Sequence, residues 1–259
     1  MPPLDLADTA RFIHERIGPD YHDKQRRKLE RLTVDDVLLR KNPYLFRAKA
    51  TDTAHDFIRA ALDATVSSGE ETVFGNFMEK VAIHVCAQTL GGRKSAVKGI
   101  DLEFERGRTK YLVSITSGPN WGNAGQIENL VERFREAVET LCTSGGSREL
   151  KIECVEGCCY GTDDTPDKGT HLKLCGQRFW ELLSGGSESL YRDLIEPIGH
   201  RARERNDELQ AMYAAKLNTF TAAFVERFCD DGVIDWDRLL AYNSGKRRTG
   251  LAHRKDKAS

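Results

Sequence analysis

VKGIDLEFE (97–105) and TKYLVSITS (109–117), separated only by Arg106-Gly107-Arg108, are two short runs across a tight turn, the pattern of a β-hairpin. In the first run Leu102 and Phe104 alternate with Asp101, Glu103 and Glu105. Successive side chains of a strand point to opposite faces, so the three acids share one face and the apolar pair the other. Two readings of that acidic face are open. A half-buried strand with a solvated face explains the alternation. So does a set of hard oxygen ligands for Mg²⁺, which takes carboxylates and water in octahedral geometry.

Working outward, helical patterns flank the hairpin. Ser67 or Ser68 can cap a helix with Glu70 and Glu71 in its first turn; Phe74, Phe77, Met78, Val81, Ala82 and Val85 follow at helical spacing, and Gly91-Gly92 ends it. Glu79 lies within this helix. On the other side, the loop GPNWGN (118–123) leads into AGQIENLVERFREAVETLC (124–142), a helix with Ile127, Leu130, Phe134, Val138 and Leu141 inward. Gly145-Gly146 closes it before a further predicted strand, LKIECVEG (150–157). Residues 66–155 thus read as a core of helix, hairpin, helix and strand.

Residues 1–65 read as a helical N-terminal region: FIHERIG (12–18), the charged DKQRRKLERLTVDDVLLRK (23–41) and, after Asn42-Pro43, TAHDFIRAALDATV (53–66). Residues 156–259 hold the loop CCYGTDDTPDKGTHLKLCG (158–176), a short helix RFWELLSG (178–185), SLYRDLIEPIGH (189–200) and a long charged helix over about 200–229, packed on the same domain. The terminal HRKDKAS (253–259) is polar and expected to fray. No internal repeat is present.

With 259 residues, 39% hydrophobic and 31% charged, the chain has the composition of a soluble protein with one substantial core, and no apolar run long enough for a membrane span. The start MPPLDLADTARFIHERIG places charges where a signal peptide needs an apolar core, which predicts a cytoplasmic protein. A formal charge of −1 gives no overall attraction to phosphate and speaks against a nonspecific nucleic-acid coat; a basic cleft in a site-specific enzyme remains compatible. Seven cysteines, an odd number without an export signal, point to reduced thiols or a metal site rather than a disulfide framework.

Among those cysteines, Cys154, Cys158, Cys159 and Cys175, with His171 nearby, are candidate ligands of a structural Zn²⁺, although paired CxxC knuckles are absent and packed free thiols explain them as well. Arg178, Arg192, Arg201, Arg203, Arg205, Lys168 and Lys173 make the second half locally basic. Arginine reads guanine through paired hydrogen bonds, while a salt-bridged helix surface accounts for HRARERND (200–207), where acids interleave.

IDLEF (100–104), SITSGPNWGN (114–123) and CCYG (158–161) followed by LCGQRFW (174–180) together resemble one group of type II restriction endonucleases of the PD-(D/E)XK nuclease superfamily, over about residues 42–205. In that superfamily an acid-bearing helix precedes a strand with Asp, and a second strand carries an acid-x-Lys pair. The matching positions here are Glu79, Asp101 and Ser114-Ile115-Thr116. The resemblance implies a mixed α/β fold: a restriction-endonuclease-like core, with a central mixed sheet flanked by helices and helical N- and C-terminal extensions. It also implies Mg²⁺-dependent, site-specific hydrolysis of double-stranded DNA by a homodimer with a companion DNA methyltransferase.

Ser114 and Thr116 depart from the pattern, since neither carries charge. Glu103 can replace the missing acid and join Glu79 and Asp101 around Mg²⁺. Lys98, Lys110 or the uncharged Gln126 can orient the attacking water. Asn120, Trp121, Asn123, Lys173, Gln177 and Arg178 are the candidate DNA contacts; for the loop that holds Trp121, a rigid turn with the indole as a core plug competes. The departure keeps two alternatives open: a catalytically impaired nuclease fold that binds DNA, and a zinc-stabilised interaction protein.

Overall fold

The computed structural model describes residues 2–116, 118–143 and 150–246. Ser117, the Gly145-Gly146 helix stop and the polar terminus after 246 lie outside the described residues. Along the chain come α1 (Leu6–Ile17), a π-helical turn (Gly18–His22), α2 (Asp23–Arg31), α3 (Val34–Arg40), α4 (Pro43–Ala48) and α5 (Ala54–Leu90). Then follow β1 (Arg93–Lys94), β2 (Leu102–Arg106), β3 (Thr109–Thr116), α6 (Ala124–Thr143), β4 (Lys151–Cys158), β5 (Leu172–Cys175), α7 (Gln177–Leu183), α8 (Leu190–Asp193) and α9 (Ile195–Ile198). The last elements are α10 (Ala202–Phe228), β6 (Cys229–Asp230), β7 (Val233–Ile234) and α11 (Trp236–Ser244). The fold is the expected mixed α/β arrangement with a central sheet flanked by helices.

By contacts the chain forms two compact units, one of residues 1–27 and 68–209, the other of 28–67 and 210–259. The first is built on a five-stranded sheet in the order β1-β2-β3-β4-β5. β1, β2 and β3 pair antiparallel, whereas β3–β4 and β4–β5 are parallel. Parallel neighbours need a crossover, and α6 supplies the one between β3 and β4.

Both faces of this sheet are covered, and the alternation of each strand sorts its residues between them. Leu102, Phe104, Val113 and Val155 pack with Phe77, Val81, Ala82 and Val85 of α5 and with Phe179 and Trp180 of α7. On this face Gly157 admits no side chain, because a Cβ there would stand 2.2 Å from Phe179 Cε2. On the opposite face Leu112 and Cys154 pack under Leu130, Phe134 and Ala137 of α6. Asn123 and Gln126 start α6 with a reciprocal cap: Gln126 N–H donates to Asn123 Oδ1 at 3.1 Å and Asn123 N–H to Gln126 Oε1 at 2.9 Å.

The second unit is helical around Phe57, Ile58, Leu62, Phe220, Phe224 and Phe228, with Phe57 and Phe224 stacked at 4.9 Å. Each such side chain contributes about 1.5–3 kcal/mol on burial. β6 and β7 form a minimal hairpin whose turn residues Asp231 and Gly232 both have positive φ (47° and 80°), as a two-residue primed turn requires.

Three local expectations are corrected. α5 runs unbroken through Ser67, Ser68 and Gly69, and its N-terminus is capped by Thr53, whose Oγ1 accepts from Asp56 N–H at 3.1 Å. A serine or glycine costs a helix only about 0.5–1 kcal/mol each, and the apolar residues buried on either side of the three outweigh that. The stretch 23–41 is two helices, because Thr33 and Asp36 form a capping box that restarts the chain. Within the cysteine-rich loop, residues 172–175 form β5, since Val155 through Cys158 offer an open strand edge for it to pair with.

Candidate active site

Asp101 stands just ahead of β2, one residue before the Leu102–Val113 pair, and its N–H donates to Val113 O at 2.9 Å. Its carboxylate turns toward β3: Oδ2 accepts from Ile115 N–H at 2.7 Å and from Ser114 Oγ at 3.4 Å. Burial pushes the Asp101 carboxyl above the ordinary carboxylate range and the charge of Glu79 adds to the rise, while the Ile115 N–H, Lys94 and Ser114 offset part of it. Glu79, on α5, accepts from Lys94 Nζ at 2.9 Å. Glu79, Asp101 and Lys94 are therefore brought into one neighbourhood.

Glu103 is committed elsewhere. Arg93 Nη2 approaches its Oε1 to 2.7 Å, Ser95 Oγ donates to its Oε2 at 3.1 Å, and Lys110 Nζ lies 3.8 Å away. Lys110, near the start of β3, is tied to Glu103 and Glu105. Lys98 is exposed. Gln126 is engaged in the α6 cap with Asn123.

A second polar cluster lies on the same face of the sheet, two strands further on, around Glu156, to which the sequence reading gave no role. Glu156 Oε1 accepts from Trp121 Nε1 at 2.7 Å and lies 3.1 Å from Lys173 Nζ; His171 Nε2 is 3.3 Å from Oε2. Lys173 also donates to Pro119 O at 2.7 Å, so the pair holds the loop after β3 at two points. Burial alone would raise Glu156, but the bonds from His171, Trp121 and Lys173 bring it down to about 2. One signal in the sequence pointed here: a glutamate amid the apolar residues of a central strand, where a bare charge is too costly to leave unpaired.

Of the other candidate DNA contacts, Asn120, Asn123, Gln177 and Arg178 are exposed. Gln177 donates to Glu181 at 2.6 Å, and Arg178 reaches Asp163 O at 3.4 Å. Thr116 Oγ1 sits 3.2 Å from Cys158 Sγ. The four candidate zinc cysteines are not gathered at one point. Cys158 is paired in register with Cys175, but Cys154 belongs to the core under α6 and Cys159 to the core under α5. Burial pushes the thiols of Cys154 and Cys159 up to about 11 and about 12. Among the described residues no three His, Cys, Asp or Glu are placed together to hold a metal ion, so these cysteines do not form a zinc cluster.

A carboxyl held up by burial and by a neighbouring acid marks a place that accepts positive charge. Mg²⁺ takes one or two carboxylates together with substrate phosphate and water rather than an all-protein cage. Asp101 with Glu79 fits that donor set. Among the described residues no three His, Cys, Asp or Glu are grouped to hold a metal, so the fit is to one largely hydrated ion.

A family model described as type II restriction endonuclease EcoO109I matches residues 7–206, well over half of the 259 residues. The chain belongs to this family of type II restriction endonucleases. It is thus a site-specific deoxyribonuclease, a hydrolase acting on DNA. No curated protein matches the endonuclease. Its matched span covers the sheet, Asp101, Glu79 and the Glu156 cluster. Among its described residues no helix is long and apolar enough to cross a membrane.

Proposed function

We propose that the endonuclease hydrolyses phosphodiester bonds of double-stranded DNA at a specific sequence, using Mg²⁺ held by Asp101 and Glu79. The supporting observation is Asp101 itself, a carboxyl at the head of β2 whose burial and acidic neighbour leave its charge under-compensated. When bound, Mg²⁺ supplies charge that polarises the phosphate and makes a coordinated water more acidic.

The chain's own groups do the rest. The Ile115 N–H and Ser114 hydroxyl fix the Asp101 carboxylate. Lys94, kept protonated by its bond and charge interaction with Glu79, places a cation beside the reacting phosphate. Asn120, Trp121 and Asn123 of the loop after β3, with Lys173, Gln177 and Arg178, form the surface we assign to DNA; the exposed members suit base or backbone contact, and Trp121 and Lys173 brace the loop. Glu103 acts through Arg93 and Lys110 rather than on the phosphate. The enzyme works in the cytoplasm as a two-fold homodimer, which presents the same site to each strand, and a companion methyltransferase protects host DNA.

The test is digestion of DNA of known sequence with Mg²⁺ and with EDTA, followed by sequencing of the fragment ends. A single recurrent cleavage sequence, lost in EDTA and in Asp101→Ala, is the expected result. Cleavage that persists in either condition rules the reading out, and sedimentation of the active species as a monomer rules out the dimer.

A further inference from the structure

We propose that Glu156 and Lys173 supply the acid and the lysine that β3 lacks, so that the cleavage site runs across four neighbouring strands as Asp101, Ser114, Glu156 and Lys173. The inference rests on the hydrolysis assigned above to Asp101.

Register carries it. Asp101 Oδ2 lies 3.4 Å from Ser114 Oγ, Ser114 is paired with Glu156, and Glu156 with Lys173. Residues paired in register project from the same face, and adjacent strands lie about 4.8 Å apart. Asp101 and Glu156 thus flank Ser114 with their backbones about 10 Å apart. One step along, Thr116 Oγ1 meets Cys158 Sγ at 3.2 Å, and Cys158 Sγ lies 3.7 Å from Glu156 Oε1, so polar groups bridge β3 to β4 at this level. The Lys173 ammonium reaches Pro119 O, three residues beyond Thr116, and so stands at the end of β3 where a lysine at 116 would project.

Burial makes a purely structural role an expensive one. The side chains of Glu156 and Lys173 are 3% and 13% exposed. An apolar pair of similar volume would hold the sheet as well or better, since a buried ion pair rarely repays its desolvation. The Trp121 N–H at 2.7 Å and the Lys173 ammonium at 3.1 Å hold the Glu156 carboxylate in place, which gives it the role of a fixed negative charge toward the cation rather than of a base. Lys173 places positive charge beside the phosphate. In the step they serve, the oxygen of water bonds to phosphorus and the bond from phosphorus to the 3′-oxygen breaks. Of the two water protons, one ends on the 3′-hydroxyl and one on the released 5′-phosphate or solvent.

The test uses the full chain and a duplex carrying its cleavage site. Terbium, a luminescent stand-in for the cation, is titrated alongside Mg²⁺; Trp121, in contact with Glu156, is the sensitiser. Glu156→Gln is expected to weaken terbium binding and raise the half-saturating Mg²⁺ by about tenfold or more, the scale of a lost metal-site partner. Lys173→Met is expected to slow single-turnover cleavage at saturating DNA by about 10²-fold or more, a loss well beyond any loss of DNA affinity. Because each single change strands a buried charge, the double variant E156Q/K173M, checked for fold by thermal unfolding, is the control. It should fold and fail to cut. The proposal is overturned if the folded double variant cuts within about tenfold of the parent, if Glu156→Gln leaves terbium affinity unchanged, or if Lys173→Met loses DNA affinity in step with rate, as a loop clamp would. Cleavage that survives in Asp101→Asn breaks the Asp101 reading instead; loss in Asp101→Asn beside an active double variant breaks only this one.

Discussion

Asp101 and Glu156 are carboxylates on one face of one sheet, two strands apart, and their surroundings push them in opposite directions. Asp101 is raised by burial and by Glu79, while Glu156, also buried, is brought down to about 2 by His171, Trp121 and Lys173. Burial acts alike on both, so the difference lies in the donors: two short-range bonds at Asp101 against three donors, one of them a cation, at Glu156. A pair of acids whose environments separate their pKa values is a recurring sign of divided chemical labour. Here one carboxylate is left wanting positive charge and the other already has it.

The largest expected effect separates the two by activity and stability together. Asp101→Asn should lower cleavage by more than about 10³-fold, the several kcal/mol a metal contributes to the transition state. It should leave melting unchanged or slightly raised, because the substitution removes a charge that burial disfavours. A clear drop in Tm would show that the fold depends on the Asp101 charge, as it does on that of Glu156. Glu156→Gln should do the reverse to stability. Loss of the anion strands Lys173 in a nearly buried site at a cost of about 3–5 kcal/mol, or roughly 10 °C in Tm. A double-mutant cycle with Lys173→Met should recover part of that loss, and full additivity would mean that the ion pair does not form in solution.

The same contrast has a pH form. The folded-state pKa of Glu156 is depressed, so its contribution to stability is present above its ordinary value of 4.5 and is lost as pH falls toward about 2. Asp101 is raised above 3.8, so the carboxylate that cleavage needs is lost on acidification first. The acid limb of the cleavage rate should therefore lie at higher pH than the acid limb of unfolding. Coincident limbs, followed by rate and by circular dichroism in one buffer series, would contradict the separation. In Glu156→Gln the unfolding limb should flatten while the cleavage limb, if cleavage is detectable, stays in place.

How much of this was legible in the residues follows from the periodicities. The hairpin and the helices around it could be read because Leu102 and Phe104 alternate with acids and because Leu130 and Phe134 recur at helical spacing. β5 was hidden: Leu172-Lys173-Leu174-Cys175 is four residues long, set in a polar, cysteine-rich stretch, and gains its strand character from pairing with β4. Glu156 was passed over because LKIECVEG reads as an ordinary alternation; only the register shows that the position beside it belongs to Ser114. The pairing of Glu103 with Arg93 was equally out of reach, since it depends on β1, a strand of two residues. Position on a strand face was readable, whereas the choice of partner across strands was not.

The smallest change tests whether the Glu156 cluster is held as tightly as its short distances imply. Trp121→Phe keeps the ring and its packing but removes the indole N–H that donates to Glu156 at 2.7 Å. The carboxylate keeps Lys173 and His171, so the cost should be about 1–2 kcal/mol, that of one hydrogen bond to a charged group. With one donor gone, the Glu156 pKa should rise, and the acid unfolding limb should move to higher pH while the cleavage limb set by Asp101 stays in place. A variant matching the parent in both Tm and acid limb would mean that Glu156 draws its low pKa from Lys173 and His171 alone, and that the loop after β3 is anchored through Pro119 O rather than through the indole.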